Sequence, residues 1–141
     1  MPKLVPTPAG YSGTPLIRKL GFKAGWRVAL LGAPAGFVGL LAPLPAGVTF
    51  VTARARDVNA TVLFGTRYAD VARAFKATVP RLAIDGMLWV AWPKKAAGVG
   101  SDLGEGDVRE IGLACGLVDV KVCAIDATWS GLKFVRRLRD R

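Results

Sequence analysis

The sequence contains no histidine. That absence removes the commonest general base near neutral pH, the serine and cysteine triads built on an imidazole, and most zinc sites. Any acid–base chemistry must come from Asp, Glu, Lys, Tyr or Cys. Cysteine is nearly as scarce: Cys115 and Cys123 are the only two, set in the apolar runs GLACGL and VKVCAI. They do not form a Cys-x-x-Cys pair, so the expectation is two reduced, buried thiols in a reducing cytoplasm rather than a disulfide or a metal pair. The opening MPKLVPTPAGYSG has no apolar core of the signal-peptide kind, and export is not expected.

Acids are few. Ten Asp and Glu face twenty Lys and Arg, for a net charge of +10. The excess is uneven: residues 1–81 carry eleven basic and two acidic side chains, residues 82–141 nine and eight. Such a balance favours anionic partners, whether nucleotides, nucleic acid or phosphorylated metabolites, without choosing among them. Charge is missing altogether from Val28 to Ala53, a run long enough to span a bilayer. Pro34, Pro43 and Pro45, with Gly32, Gly36, Gly39 and Gly47, cut it into short pieces. A strand, a short helix, a turn and a second strand account for it better, because buried parallel strands read as continuous apolar runs. No membrane partner is expected.

What is present is apolar: 52% of 141 residues, enough for one domain with a real core. Thr14-Pro15 starts a short helix Pro15–Leu20 that Gly21 ends. Strands are expected at Trp26–Leu31, Val48–Thr52, Ala60–Phe64 and Met87–Trp92. Short Phe37–Leu41 reads as helical. Tyr68–Thr78 reads as an amphipathic helix with Val71, Ala72, Phe75 and Val79 on one face. Asp107–Cys115 is the next helix, stopped by Gly116. Val118–Ile125 and Leu132–Val135, joined by the turn Asp126–Gly131, form a closing hairpin. Strands alternating with helices give an α/β, Rossmann-like three-layer fold: a mostly parallel sheet of about six strands with a C-terminal antiparallel hairpin. Residues 1–13 read as an extended segment, with Tyr11-Ser12-Gly13 a candidate lid, and 136–141 as an exposed basic tail. An exposed hairpin edge would permit a homodimer.

This element order, ending helix–strand–strand, resembles the C-terminal half of a class I S-adenosylmethionine-dependent methyltransferase. Only seven residues, Ala53–Asn59, separate the second and third strands, where a full methyltransferase has a further helix–strand–helix, so the resemblance implies a trimmed version. The segments GYSGTPLIRKLG (10–21), LLGAPAGF (30–37), LWVAWPKK (88–95) and DVREIGLACGLVDVKVCAIDATWSGLKFV (107–135) also resemble a bacterial domain-of-unknown-function family. That second resemblance implies a small cytoplasmic bacterial protein and assigns it no activity, cofactor or catalytic residue.

In an open parallel sheet, ligands sit outside the carboxyl ends of the strands. Following those ends selects Gly32 and Gly36 after the first strand, Arg54 and Arg56 after the second, Thr66 and Arg67 after the third, and Lys94 and Lys95 after the fourth, before a flexible Gly98–Asp102. The Gly32–Gly36 turn could admit a phosphate or adenosine closely, but it is neither G-x-G-x-x-G nor a P-loop. Leu30 and Leu31 stand where a methyltransferase usually places an acid, and the second strand ends in no Asp or Glu for a ribose. Trp89 and Trp92 alternate as core residues, and Trp129 in the closing turn either plugs the sheet end or covers a ligand. Two basic clusters, Arg18, Lys19, Lys23 and Arg27, and Arg136, Arg137, Arg139 and Arg141, would suit nucleic-acid phosphates, though no recognition motif accompanies them. The leading expectation is a non-catalytic, methyltransferase-like binding module for an anionic ligand at a basic rim. The alternatives are a small methyltransferase using S-adenosylmethionine and a nucleic-acid-binding protein.

Overall fold

The computed structural model describes residues 14–141; the proposed lid Tyr11-Ser12-Gly13 lies outside them. Pro15, with its fixed φ, leads into α1 (Leu16–Leu20), which stops at Gly21 in the left-handed conformation, φ 79°. β1 (Arg27–Leu31) and α2 (Phe37–Leu40) follow, then β2 (Thr49–Val51) and β3 (Val58–Phe64). α3 (Tyr68–Thr78) leads to β4 (Leu82–Pro93), and α4 (Glu105–Ala114) to the hairpin β5 (Leu117–Ala124) and β6 (Trp129–Arg136). At the start of α4 the Asp107 carboxylate accepts the Gly104 N–H at 2.9 Å, which satisfies a donor the helix itself cannot.

The six strands lie in the order β2-β1-β3-β4-β6-β5. β2, β1, β3 and β4 are parallel, and β6 is antiparallel to both its neighbours. The expected α/β architecture is therefore present. Alternation along each strand builds two cores. Val28, Ala60, Val62, Phe64, Met87 and Trp89 meet α1 and α2 on one face; Leu63, Leu88, Val90, Leu132 and Phe134 meet α3 and α4 on the other. Val71 and Phe75 are buried from α3 as its periodicity predicts, and Thr78 joins them by donating its hydroxyl to the Ala74 carbonyl at 2.8 Å. Trp89 and Trp92 are core residues.

Four expectations need correction. β2 has three residues rather than five, because the chain leaves the sheet directly after Val51. β4 begins at Leu82 rather than Met87: the chain around Asp85-Gly86 forms an irregularity in the strand, where a side chain at Gly86 would stand 2.9 Å from the Val58 carbonyl. The basic tail is not wholly exposed. Arg136 lies half-buried at the end of β6 and donates to the carbonyls of Ala83 (2.6 Å) and Val79 (2.8 Å), so it ties the hairpin to the foot of β4. The cysteines are free thiols but half-buried rather than buried. No helix of the described residues is long and apolar enough to cross a membrane.

Candidate functional site

β1 sends the chain to the face covered by α2, and β3 sends it to the face covered by α3. Neighbouring parallel strands whose connections part in this way leave a crevice at their carboxyl ends, the usual ligand position in such sheets. Gly32 forms one wall, with φ 70°; a Cβ placed there would lie 2.9 Å from the Phe64 carbonyl oxygen. Two separate constraints thus require glycine: the left-handed backbone and the close approach of β3. Gly36, φ 86°, caps α2 and faces open space, while the Phe37 N–H donates to the Pro34 carbonyl at 3.1 Å and closes the turn.

Beneath the crevice the rings of Phe37, Phe64 and Trp129 stack edge to face, with centroids 4.8 and 5.1 Å apart. Trp129 therefore packs as a plug. It starts β6, and its carbonyl accepts the Ile125 N–H at 2.9 Å. The Asp126 carboxylate accepts the N–H groups of Thr128 and Trp129, both at 2.8 Å, and fixes the hairpin turn. The far wall is Gly65-Thr66-Arg67. Gly65 donates to the Ala91 carbonyl at 3.1 Å, and the Thr66 carbonyl accepts from Ser101 Oγ (2.9 Å) and the Asp102 N–H (3.2 Å). Asp102 in turn accepts the Tyr68 N–H at 2.6 Å. The segment expected to be flexible, Gly98–Asp102, is thus tied to the end of β3 through its last two residues.

Of the residues chosen from sequence, Gly32, Gly36, Thr66, Arg67, Lys94 and Lys95 stand at the carboxyl ends of β1, β3 and β4. The Lys94 N–H donates to the Thr128 carbonyl at 2.8 Å, and Lys95 and Arg67 are exposed. Arg54 and Arg56 do not join them. The Arg56 carbonyl accepts from the guanidinium of Arg27, at the foot of β1, and the Arg54 carbonyl accepts from Arg81, beside the foot of β4. A three-residue β2 followed by a six-residue connection forces this: the chain has to return to the amino end of β3 at once, and it carries both arginines away from the rim.

Replacing Gly32 by alanine is expected to destabilise the fold by about 1–3 kcal/mol through left-handed strain and the contact with Phe64. Urea unfolding measures it; a change under about 0.5 kcal/mol would show that the turn is not held against β3 as described.

A cavity of about 520 Å³ lies elsewhere, between α3 and α4, lined by Tyr68, Ala72, Lys76, Ile111, Ala114 and Cys115 among others. Sequence reasoning missed it; the small Ala72 and Ala114 on facing helices are the only signal for it. Its chemistry is thin. Burial pushes the Cys115 thiol up, against a smaller opposing pull from Lys76, which leaves a poor nucleophile. The Tyr68 hydroxyl donates to Glu110 at 2.6 Å, and this bond, with the carboxylate charge, raises its pKa.

A lysine is perturbed as well. Burial lowers the Lys133 pKa, and the nearby ammoniums of Lys121 and Lys23 lower it further. The folded protein therefore releases this proton at lower pH than the unfolded chain. The charged lysine opposes folding at neutral pH, and that penalty is relieved as pH rises from the lowered value towards the ordinary 10.5. Relative to Lys133→Met, the wild type should gain stability across that window. Parallel urea titrations of the two proteins check the slope, and equal slopes would refute it.

No family model and no curated protein matches the chain. Solved structures do. The N-methyltransferase NodS of Bradyrhizobium japonicum superposes with a TM-score of 0.59 at 19% identity, covering 84% of this chain and 90% of that one. Magnesium protoporphyrin IX methyltransferase from Synechocystis, solved with bound S-adenosylhomocysteine, gives 0.55 at 13% identity over 86% and 78% of the two chains. A SAM-dependent O-methyltransferase from Thermotoga maritima gives 0.60 at 11% identity over 89% and 65%. Two of the structures matched are covered over only 65% of their own length. Whether the residues here fit that cofactor divides by position. The Gly32 turn leaves backbone open to a ligand, but the end of β2 offers Thr52, Ala53 and Arg54, with no carboxylate for a ribose. At these identities the likeness is one of fold: the chain has the Rossmann-like fold of these methyltransferases.

Proposed function

We propose that the chain is a non-catalytic, methyltransferase-like binding module that holds a small anionic ligand of nucleotide size in the crevice between β1 and β3. The observation that carries this reading is the turn after β1: Gly32 approaches the Phe64 carbonyl too closely for a side chain, Gly36 faces open space, and Arg67, Lys94 and Lys95 stand at the carboxyl ends of β3 and β4. The carboxylates of Asp102 and Asp126 are occupied as acceptors of backbone N–H groups. They hold turns, while Arg67 and Lys95 are exposed. No nucleophile paired with a base stands at the rim among the described residues, which supports binding over catalysis.

The competing reading, a reduced methyltransferase, is favoured by the structures that share the fold, two of which were solved with S-adenosylhomocysteine or S-adenosylmethionine bound. Thermal shift separates the two. A ligand at about 100 times its Kd contributes roughly 2.7 kcal/mol, a rise of about 8–16 °C at roughly 3–6 °C per kcal/mol for this size. Adenosine monophosphate should produce such a rise and S-adenosylhomocysteine none. Charge reversal at Lys94 and Lys95 should weaken the nucleotide at least about tenfold, the equivalent of about 1.4 kcal/mol. A response to S-adenosylhomocysteine alone would overturn the binding-module reading in favour of the enzyme.

A further inference from the structure

The hairpin register places Lys121 of β5 directly opposite Lys133 of β6, on the face that carries α1. Opposed residues on an antiparallel pair have Cβ atoms roughly 5 Å apart, and like charges there work against the pairing. The row continues inward to Trp89 of β4, so Lys133 stands between a buried indole and a second lysine. Lys121 donates its ammonium to the Lys19 carbonyl at the end of α1, at 2.9 Å, and Lys19 reaches back to the Ala124 carbonyl at 3.2 Å. These two lysines staple α1 to the hairpin. The ammoniums of Lys133 and Lys23 have no such employment: no side-chain hydrogen bond or ion pair joins either to another described residue. Acids near the hairpin are committed elsewhere. Asp119 pairs with Arg109 on the opposite face at 2.9 Å, and Asp126 holds its turn.

A half-buried lysine ringed by lysines, with no counter-charge, is a site waiting for an anion from solution. We propose that Lys133, Lys121 and Lys23 form a second, compact site on the α1 face that binds the phosphate group of a small polyphosphate-bearing molecule, separate from the crevice. Burial first, and then the charges of Lys121 and Lys23, depress the proton affinity of Lys133. Compactness decides the ligand class. Lys121 and Lys133 are paired across one row of the hairpin, with Lys23 near enough to act on Lys133, whereas a nucleic-acid strand needs a track of cations with exposed rings to stack its bases. The first basic cluster read from sequence forms no such track, because Lys19 is buried against the hairpin and Arg27 is spent on the carbonyls of Arg56 and Asp57. Phe22 is buried beside it, too.

The test is titration of the full chain with inorganic pyrophosphate at constant ionic strength, followed by melting temperature and by the lysine side-chain NMR signals. Wild type should respond saturably, with the Lys133 and Lys121 signals moving together. Lys133→Met should lose at least about tenfold in affinity, while the Lys94→Glu/Lys95→Glu protein keeps the response. Because Lys133→Met removes a repulsion, it should fold at least as well as wild type. Lys23→Met, which breaks no contact between described residues, gives an independent variant and should weaken binding as well. An unaltered response in Lys133→Met, no saturable response in wild type, or a Lys133-dependent response to a single-stranded oligonucleotide but not to pyrophosphate would each overturn the proposal. Failure here would leave the crevice reading intact, since the two sites respond to different substitutions.

Discussion

Trp89→Ala is expected to cost about 3–5 kcal/mol, the range for removing a fully buried large aromatic side chain. Trp89 is completely inaccessible and stands in the middle of β4, between β3 and β6. Its role exceeds volume. The indole Nε1–H donates to the Leu20 carbonyl at 3.1 Å, across 69 residues of sequence, and so receives an acceptor that the end of α1 leaves unpaired. Trp89→Phe separates the two contributions. It retains much of the buried surface but strands the Leu20 carbonyl, and should cost about 1–3 kcal/mol. With roughly 3–6 °C per kcal/mol for a chain of this size, both losses are readable as melting temperatures. Although Lys19 and Lys121 also tie α1 to the hairpin, Trp89→Phe should speed amide exchange in α1 ahead of the strands. Equal exchange in all elements would mean that the indole is not what holds α1 to the sheet.

Gly112→Ala is the second large effect, and it runs against helix propensity. In an exposed helix the change is worth about 1 kcal/mol of stabilisation. Here a Cβ would stand 2.0 Å from Phe134 Cε2, inside the ring. Phe134 cannot simply retreat: it is fully buried and meets Phe75 edge to face with centroids 5.1 Å apart. Overpacking of this kind costs about 1–3 kcal/mol, so a net loss of up to about 2 kcal/mol is expected despite the gain in propensity. Reducing the ring with Phe134→Leu should make the same alanine nearly neutral. Additive losses in that double variant would contradict the packing described.

Much of the fold was legible because buried parallel strands announce themselves as apolar runs and α3 as a clean helical stripe; Tyr68–Thr78 matches its expected bounds. The Gly32 turn was legible too, since few residues other than glycine suit a left-handed backbone. What failed did so for physical reasons. Asp85-Gly86 is turn chemistry in any local reading, and only the neighbouring β3 converts it into a strand irregularity. Arg54 and Arg56 follow a strand in sequence, but where they go depends on how long β2 is and how short its connection must be. Arg136 looks like a solvated tail until β6 is paired with β4 and its guanidinium meets the carbonyls of Val79 and Ala83. The lysine pair was hidden in the plain alternation of VDVKVCAI. Which residue of β6 faces Lys121 is set by the hairpin turn and by the register shift between Asp119 and Lys121, and a slip of one residue would point it to the other face.

The central claim, a ligand crevice between β1 and β3, is tested most directly by mapping backbone amide shifts during titration with adenosine monophosphate, in the Lys133→Met protein so that the lysine cluster does not compete. Saturable shifts of Gly32 and Gly36, of Gly65 to Arg67, and of Lys94 and Lys95, sharing one dissociation constant, are the predicted result. Shifts confined to the cavity around Cys115 and Tyr68, or no saturable shifts at all, would contradict it.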